Sequence, residues 1–306
     1  MNLNQKEPVY IIIPVHNRKN ITLQCLETLK QCGDLDRYYT IVVDDGSTDG
    51  TSEAITDLYP EVTILNGDGN LWWTGAIRKG MEYAYEQGAE YFIWLNDDCQ
   101  PTKDTLSQLV DFIKDNSKTI IGCQGVELDN PQQICFGGKE KKPQGHILVQ
   151  VPPSHVIPCD LLCGNLVCLP RTIVEEIGFP NPQITPHYHG DSWYSVKAKQ
   201  AGFQLFLDTR NPVFNRVSEG SKLYPGKPSD WLLYPGHPFN LLKLVFIPQS
   251  GLNWRVWLRV QWEAYSLWSI YLFIKKYSYI LLITIIRFFP LDLRKKIVAY
   301  KKQKFG

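Results

Sequence analysis

Several features that would assign this 306-residue chain to a simple class are missing from its sequence. The eight cysteines include no C-x-x-C pair, so we interpret Cys159, Cys163 and Cys168, which share one apolar stretch, as small core residues rather than zinc ligands. No signal peptide is recognised, because the first apolar run, residues 9–15, is short and begins a domain. We therefore expect the chain in the reducing cytoplasm.

No uninterrupted apolar run reaches the ~20 residues that a membrane-spanning helix needs. The run in the tail, residues 277–286, follows Lys275 and Lys276 and ends at Arg287. Residues 251–306 contain eleven Lys and Arg against two acidic residues, a net charge of +9, whereas the first 250 residues carry −8. We expect the tail to lie on the inner face of the cell membrane, with a buried helix pair or a dimer interface as the alternatives. The aromatic and apolar residues at helical spacing there are Trp254, Trp257, Leu258, Trp262, Tyr265, Trp268 and Leu272.

The composition, 44% hydrophobic and 21% charged, excludes a disordered chain. The first ~125 residues alternate between strand and helix patterns, which predicts an α/β fold with a mainly parallel sheet and helices on both faces. The predicted strands are residues 9–15, 39–43, 62–65, 91–95 and 119–123, and the predicted helices are 19–32, 49–58, 74–87 and 103–115, with Asp49 and Thr102 as caps. Later, we predict strands at 134–136, 146–151 and 204–207, helices at 172–177 and 191–201, and a loop-rich segment at 208–240.

Polar residues follow three of the predicted strands where each strand ends. Asp44 and Asp45 stand beside a Gly-Ser-Thr loop, which suggests a polar ligand such as a nucleotide base or ribose. Asn96, Asp97 and Asp98 follow a later strand. Adjacent carboxylates repel each other unless a cation or donors compensate, so they suggest Mg²⁺ or Mn²⁺, and an Asx turn is the alternative.

Two further segments carry candidate site residues. A glycine-rich loop, residues 67–75, opens a helix and contains Trp72 and Trp73, which are either a sugar or base platform or core residues. The loop is neither a Walker loop nor a dinucleotide fingerprint. Asp191 begins a later helix and is either a general base or a helix N-cap, and His187 and His189 before it form only a weak metal motif.

Together these motifs resemble the family-2 inverting glycosyltransferases of the GT-A fold. The matching segments are residues 13–17, 43–51, 66–80 and 95–98, and then Gly190 and Asp191 with Lys197, Lys199, Ala201 and Gly202. The resemblance covers roughly residues 8–220 and is closest to bacterial rhamnosyl- or galactosyl-type transferases that act on surface polysaccharide. It implies residues 1–240 as a catalytic domain, with a nucleotide-sugar half (1–125) and an acceptor half (126–240). The charge and aromatic pattern of the tail separately predicts residues 241–306 as a membrane-associating helical region.

The resemblance also implies roles for individual residues. Asp191 would be the general base, Asp98 would ligate Mg²⁺ or Mn²⁺, and Asp44 or Asp45 would hold the base and ribose of a UDP- or dTDP-sugar. The acceptor would be a glycan or a lipid-linked saccharide, and no nucleic acid is expected. The positions expected to bind the donor are Pro14, His16, Asn17, Asp44, Asp45, Gly69, Asn70, Trp73, Arg78, Asn96 and Asp97.

Three positions depart from the family's pattern. Gly190 stands where an acidic residue usually precedes the base, Arg78 replaces an Asn, and Asn215 stands where a metal-ligating His is common. Two alternative functions remain: a nucleotidyltransferase, which usually has a glycine-rich loop with a basic residue directly after the first strand, and a non-catalytic nucleotide-sugar-binding protein.

Overall fold

The computed structural model describes residues 6–215 and 228–305. The chain divides into two compact units, Met1–Val217 and Ser218–Gly306, and each is described by itself. The first unit contains the α/β sheet and the second contains the C-terminal helices.

The first unit begins with the predicted alternation of strands and helices. Its elements are β1 (Glu7–Val15), α1 (Lys19–Cys32), α2 (Asp34–Arg37), β2 (Tyr38–Asp44), α3 (Thr51–Leu58), β3 (Thr63–Asn66), α4 (Trp72–Glu86), β4 (Tyr91–Leu95), β5 (Cys99–Pro101), α5 (Thr105–Asp115) and β6 (Thr119–Glu127). The rest of the unit contains β7 (Ile134–Phe136), β8 (Gly138–Lys142), β9 (Gly145–Leu148), β10 (Val156–Cys159), β11 (Leu161–Leu162), β12 (Leu166–Pro170), α6 (Thr172–Ile177), α7 (Gly190–Gln200) and β13 (Gln204–Asn215).

The main sheet has the strand order β10-β13-β6-β12-β4-β1-β2-β3, and a small second sheet has the order β11-β8-β9. Strand β1 runs parallel to both β2 and β4, and β2 runs parallel to β3. Strand β12 is antiparallel to β4 and β6, so the sheet is mixed at its centre. Because the chain leaves β1 toward β2 on one side and returns as β4 on the other, the carboxyl ends of these strands flank a crevice, the usual ligand position in such sheets.

The predicted α1, β4, β7 and α6 have the expected bounds, whereas two predicted helix caps are wrong. Helix α3 has Gly50 as its N-cap, and Asp49 instead accepts a hydrogen bond from the Thr51 amide (3.2 Å). Helix α5 begins after Asp104, which adopts a left-handed conformation (φ 66°). Both starts shift because a residue with positive φ turns the chain at the helix entrance.

The prediction of a loop from residue 208 onward is wrong for its first part, because β13 continues to Asn215. A bulge between Asp208 and Val213 absorbs Pro212, and Val213 to Asn215 then pair with both β5 and β6. The many Pro, Gly and Asn residues from position 208 onward suggested a loop, and they did not reveal that the strand continues after the bulge. Residues 216–227 of the predicted loop lie outside the described residues.

All eight cysteines are free of disulfide bonds. Cys159 and Cys168 are buried, as expected of core residues, and Cys163 is half-buried. Within the described ranges no group of three or more His, Cys, Asp and Glu side chains is arranged to hold a metal ion.

The second unit is helical. It contains a 3-10 helix (Pro228–Leu232), α8 (Asn240–Leu244), α9 (Trp254–Tyr265), α10 (Trp268–Ile286) and α11 (Leu291–Phe305). Its core consists of Trp231, Leu232, Leu241, Val245, Ile280 and Ile283. Ser266, at φ 49°, separates α9 from α10, so the predicted stripe of aromatic residues is divided between two helices.

Helix α10 is longer than the apolar run that the sequence suggested. Its 19 residues are long and apolar enough to cross a membrane by length and composition, with a mean hydropathy of 1.5 and 28% of an 18-residue stretch buried. Lys275 and Lys276, which precede the apolar run, lie inside this helix.

Helix α4 lies unusually close to the sheet at Gly80. A Cβ atom there would collide with Ile12 of β1 and stand 3.2 Å from Cγ2 of Val43 of β2. Because α4 begins at the glycine-rich loop, this close approach sets how far that loop stands from the strand ends.

We expect Gly80→Ala to lower the free energy of unfolding by about 1–3 kcal/mol, because the added methyl group overpacks the helix–sheet contact. Chemical denaturation measures the change. The control is Glu86→Ala on an exposed position of the same helix, which should stay within about 0.5 kcal/mol of the wild type. A stabilised Gly80→Ala protein would mean that helix propensity outweighs the contact.

Candidate active site

The crevice beside β1 contains a cavity of about 310 Å³ within the first unit. Its lining residues are Pro14, Val15, His16, Arg18, Asp45, Gly69, Trp72, Trp73, Ala76, Asn96, Asp97 and His187. Seven of the eleven predicted donor-binding residues belong to this lining. Asn17, Asp44, Asn70 and Arg78 do not, and neither do Asp98 and Asp191.

Asp45 organises the glycine-rich loop from the end of β2. Its Oδ1 accepts hydrogen bonds from the amides of Gly69 (2.8 Å) and Leu71 (3.1 Å), and its Oδ2 accepts one from the amide of Trp72 (2.9 Å). Trp72 has a left-handed backbone (φ 55°), a costly conformation for a bulky residue. Three charge-assisted hydrogen bonds hold the loop in this conformation, so Asp45 shapes the cavity as well as lining it.

Asp44 is turned away from the cavity and is buried. Its Oδ1 accepts a hydrogen bond from the Ser47 amide (2.9 Å), and its other oxygen accepts one from the Ser52 hydroxyl. Asn17 joins the same loop, since its amide donates to Ser47 Oγ (2.8 Å) and its side-chain oxygen accepts from the Thr48 amide (2.7 Å). Asp44 therefore fixes the loop that follows β2, and Asn17 fastens the segment after β1 to that loop.

His16 and Arg78 differ in their relation to the cavity. His16 lines the cavity, and its Nδ1 lies 2.6 Å from the carbonyl oxygen of Asp45. Arg78 instead pairs with Glu82 one helical turn along α4 (2.8 Å). The side chain of Asn70 is exposed, and its amide is bound by Asp68 (2.9 Å).

Arg18 is the site residue that the sequence reasoning missed. Its Nε lies 3.2 Å from Oδ2 of Asp97, and its Nη2 lies 3.2 Å from Oδ2 of Asp98. Thr22 donates a further hydrogen bond to Asp97 (3.1 Å). A guanidinium thus provides the compensating cation that two adjacent carboxylates require. The sequence feature that could have identified Arg18 is a basic residue three positions after the first strand.

The two carboxylates of this pair are not equivalent. Burial raises the pKa of Asp97 to about 7, and the charge of Asp98 acts in the same direction while Arg18 opposes both. Asp98 is more accessible, with 21% of its side chain exposed, and Arg18 contacts its Oδ2 alone. Its Oδ1 has only a weak contact with the Cys99 thiol (3.8 Å). Asp98 is therefore the carboxylate with an oxygen available to a cation.

Asn215 lies against Asp98, because its side-chain amide donates to the Asp98 carbonyl oxygen (3.3 Å). This is the position where the resemblance expects a metal-ligating histidine. The described residues do not complete a protein-only metal shell. A Mg²⁺ or Mn²⁺ ion that is held by one or two carboxylates and by substrate phosphates fits such a donor set.

Trp73 connects the glycine-rich loop to the rest of the site. Its indole Nε1–H donates to Asn96 Oδ1 (2.8 Å), and its ring meets Trp94 edge to face (5.5 Å). The ring is half-buried and lines the cavity. It therefore packs partly in the core and partly forms a wall of the cavity on which a sugar or base could lie. Trp72 is 42% exposed and lies beside His187, with 5.4 Å between ring centres.

His187 is the only one of the two candidate histidines that lines this cavity. Burial lowers the pKa of His187, so its imidazole is neutral at physiological pH. Its Nδ1 is 3.4 Å from the Trp73 amide. His189 instead occupies the N-cap position of α7 (φ 70°).

Asp191 lies in the first turn of α7 rather than at its N-cap. Its Oδ2 accepts a hydrogen bond from the Gly164 amide (2.9 Å), and its Oδ1 accepts one from the Ser192 amide (2.6 Å). A Cβ atom at Gly164 would stand 2.6 Å from the Trp73 ring and 3.0 Å from the Asp191 Cβ. Asp191 and Trp73 therefore approach the same backbone segment.

Tight packing explains why glycine precedes Asp191. A Cβ atom at Gly190 would collide with the Thr74 hydroxyl and stand 3.2 Å from the Trp73 ring. The start of α7 and the start of α4 are pressed together at this point, so the acidic residue that the family pattern expects has no room there.

Several known proteins are similar to this chain in sequence or in fold. Residues 10–140 match the family model described as Glycosyl transferase family 2. The chain is similar to glycosyltransferase AglE of Haloferax volcanii, with 26% identity over 202 residues that cover 64% of this chain and 63% of the relative. It is also similar to a UDP-N-acetylglucosamine--dolichyl-phosphate N-acetylglucosaminyltransferase of Methanococcus voltae, with 26% identity over 41% of this chain and 54% of the relative. The match thus spans little more than half of each relative's length.

Two solved structures share the fold. One is GalNAc-T7 with UDP, GalNAc and Mn²⁺, at a TM-score of 0.58 and 15% identity, covering 71% of this chain and 44% of that one. The other is the mannosyltransferase PcManGT from Pyrobaculum calidifontis in complex with GDP-Man and Mn²⁺, at a TM-score of 0.56 and 14% identity, covering 98% and 82%. They confirm the predicted GT-A fold. Residues 10–140 of this fold are the part that resembles glycosyl transferase family 2.

Proposed function

We propose that this chain transfers a sugar from a UDP- or dTDP-sugar to a hydroxyl group of a glycan or a lipid-linked saccharide, with inversion at the anomeric carbon. The observation that carries the proposal is the arrangement around Trp73. The Asp45-bound loop, Arg18 and Asp97 border one cavity, and Arg18 also pairs with Asp98 beside it. Asp191 and the Trp73 indole both lie against Gly164. Of the two alternatives, a non-catalytic protein would not need this convergence.

The donor would occupy the cavity beside β1. Asp45, His16 and Gly69 border it from the loops, and Asp45 carries the charge suited to ribose hydroxyl groups. Arg18 and Asp98 stand where polar residues follow β1 and β4, and we assign the diphosphate to that side because a guanidinium binds phosphate oxygens well. UDP and GDP-Man, named with Mn²⁺ in the two similar structures, support a nucleotide-diphosphate donor.

We assign the divalent cation to Asp98. Its Oδ1 is the oxygen left free by Arg18, and the phosphates of the donor would provide the remaining ligands. When bound, Mg²⁺ or Mn²⁺ neutralises the charge that develops on the diphosphate leaving group. Before the donor arrives, the single positive charge of Arg18 compensates one of the two carboxylates, Asp97 and Asp98.

Asp191 would act as the general base. Its carboxylate removes the proton from the acceptor hydroxyl, whose oxygen bonds to the anomeric carbon as the bond to the diphosphate oxygen breaks. Attack from the face opposite the leaving group inverts the anomeric configuration. The hydrogen bonds from the Gly164 and Ser192 amides orient this carboxylate.

We propose that the second unit binds the inner face of the cell membrane, where a lipid-linked acceptor resides. Helix α10 exposes a face of large apolar side chains, and residues 251–306 carry a net charge of +9. An apolar surface with basic residues around it suits the interface of an anionic bilayer. The dolichyl-phosphate acceptor in the name of one relative supports a lipid-linked substrate, and polysaccharide of the cell envelope is the proposed product.

We expect Asp98→Ala to abolish the gain in UDP or dTDP affinity that Mn²⁺ provides while leaving the fold intact, because the variant removes the accessible metal ligand. Isothermal titration calorimetry with and without Mn²⁺ measures this gain. Asp57→Ala removes the same charge from an exposed position of α3 and serves as the control. An unchanged Mn²⁺ effect in Asp98→Ala would show that another residue ligates the metal.

We expect Asp191→Asn to reduce sugar transfer by roughly 10²–10⁴-fold, the range for loss of a general base, with little change in donor affinity. Transfer kinetics and donor titration of the same preparation separate the two effects. Ser192→Ala removes a hydroxyl that contacts Asp191 (3.2 Å) and controls for disturbance of the helix turn. Near-normal sugar transfer by Asp191→Asn would show that Asp191 has a structural role and is not the general base.

We expect the full chain to float with vesicles that contain anionic lipid at low salt and to dissociate as salt rises, since each basic residue near the surface contributes about 1 kcal/mol. Vesicles of neutral lipid alone are the control. If the protein stays at the bottom of the gradient with anionic vesicles, the exposed face of α10 instead belongs to a protein interface.

A further inference from the structure

The imidazole of His187 lines the cavity beside β1 from the segment that leads into α7. It is half-buried and packs against two aromatic rings, with 5.4 Å to the ring centre of Trp72 and 4.7 Å to that of Tyr188. Trp72 lines the same cavity. His187 and Trp72 therefore form one aromatic wall of the proposed donor cavity.

A hydrogen bond with the glycine-rich loop determines which nitrogen of His187 holds the proton. The Trp73 amide donates to Nδ1 at 3.4 Å, and because a backbone N–H can only donate, Nδ1 holds no proton. Burial lowers the pKa of His187 against the opposing charge of Asp191, so the ring is neutral at physiological pH. A neutral imidazole has one proton, and here that proton belongs to Nε2.

The Nε2–H group of His187 is a hydrogen-bond donor that the described part of the chain does not use. Across residues 6–215 and 228–305, the hydrogen bond from the Trp73 amide is the one that the imidazole makes. Polar groups at a partly buried position normally have a partner, and at a cavity wall that partner is water or a ligand. The contacts with Trp72 and Tyr188 restrict the ring, so the donor is oriented before a ligand binds.

His187 lies close to the proposed general base, Asp191. The two residues are four positions apart in the segment that enters α7, and the charge of Asp191 acts on the pKa of the imidazole. Both are also connected to Trp73, because His187 accepts from its amide while Asp191 and the indole lie against Gly164. During transfer one acceptor oxygen must meet both Asp191 and the anomeric carbon, so the sugar of the donor has to lie on this side of the cavity.

We propose that His187 recognises the donor sugar, its Nε2–H donating a hydrogen bond to a hydroxyl oxygen of the pyranose ring. This inference rests on the proposed function, in which Asp45 binds the ribose and Arg18 and Asp98 lie beside the diphosphate. An oriented donor next to the Trp72 ring suits a pyranose, whose rim presents hydroxyl groups and whose faces present C–H groups. His187 is then a specificity-determining residue for the donor.

Two amide variants separate sugar recognition from support of the glycine-rich loop. In His187→Asn the side-chain oxygen occupies the place of Nδ1 and can accept from the Trp73 amide, but no N–H group reaches the place of Nε2. In His187→Gln the longer side chain brings an amide N–H to the place of Nε2. The first variant therefore keeps the contact with the loop, and the second keeps the proposed contact with the sugar.

The test is isothermal titration calorimetry of the full chain in Mn²⁺ with UDP, dTDP, UDP-glucose, UDP-galactose and dTDP-rhamnose. We expect His187→Asn to bind the nucleotide sugar about tenfold more weakly than the wild type, the effect of one lost hydrogen bond, and to bind UDP or dTDP unchanged. His187→Gln should stay within about threefold of the wild type for both kinds of ligand. His155→Asn changes an exposed histidine that does not line the cavity, and as the control it should match the wild type.

The outcomes distinguish this inference from the proposed function. Any result in which His187→Gln does not bind the nucleotide sugar more tightly than His187→Asn overturns sugar recognition by Nε2–H. Equal losses of affinity for the nucleotide sugar and the nucleoside diphosphate in His187→Asn also overturn it, because His187 then acts on the nucleotide. A wild type that binds UDP or dTDP but none of the three nucleotide sugars contradicts the inference and leaves the nucleotide site intact. A wild type that binds none of the five ligands overturns the proposed function as well.

Discussion

The three hydrogen bonds to the carboxylate of Asp45 are the interaction on which the candidate site depends. They connect the end of β2 to the amides of Gly69, Leu71 and Trp72, and they hold Trp72 in a left-handed conformation at the entrance of α4. The next residue, Trp73, is thereby directed across the crevice. A single carboxylate on one strand thus determines where the loop can place its indole.

Trp73 connects the glycine-rich loop to the other parts of the site. Its indole N–H binds Asn96 at the end of β4, and its ring packs against Gly164 and Gly190, the backbone positions beside Asp191. The proposed donor and acceptor sides are therefore connected by one rigid side chain. Glycine is required at both contact positions because any Cβ atom would meet the ring or its neighbour Thr74. The departure of Gly190 from the family pattern follows from this packing.

The sequence predicted the sheet and most of the strand ends, because uninterrupted apolar runs followed by polar residues are a strong local signal. It also predicted which segments meet at the crevice. It did not predict that Asp44 binds Ser47 and Ser52 within its own loop, nor that Asn17 binds Ser47 and Thr48 some thirty residues away. Nor did it predict Arg18 as the partner of Asp97 and Asp98, since about eighty residues separate them. Local periodicity contains no information on such pairs.

The tail shows a different limit. In the sequence Lys275 and Lys276 precede the apolar run 277–286. Both lie inside α10, where Lys275 is exposed and Lys276 is half-buried, with its ammonium group 4.7 Å from the ring centre of Trp257. The apolar run alone did not indicate that these neighbouring lysines have different environments.

Incubation of the purified full chain with a panel of nucleotide sugars and Mn²⁺, followed by NMR, tests the central claim most directly. The account predicts that one donor, a UDP- or dTDP-sugar, is cleaved to nucleoside diphosphate in a reaction that requires Mn²⁺ and Asp191, and that the sugar released or transferred has the inverted anomeric configuration. Release of a nucleoside monophosphate, retention of configuration, or the absence of binding to every donor in the panel would contradict it.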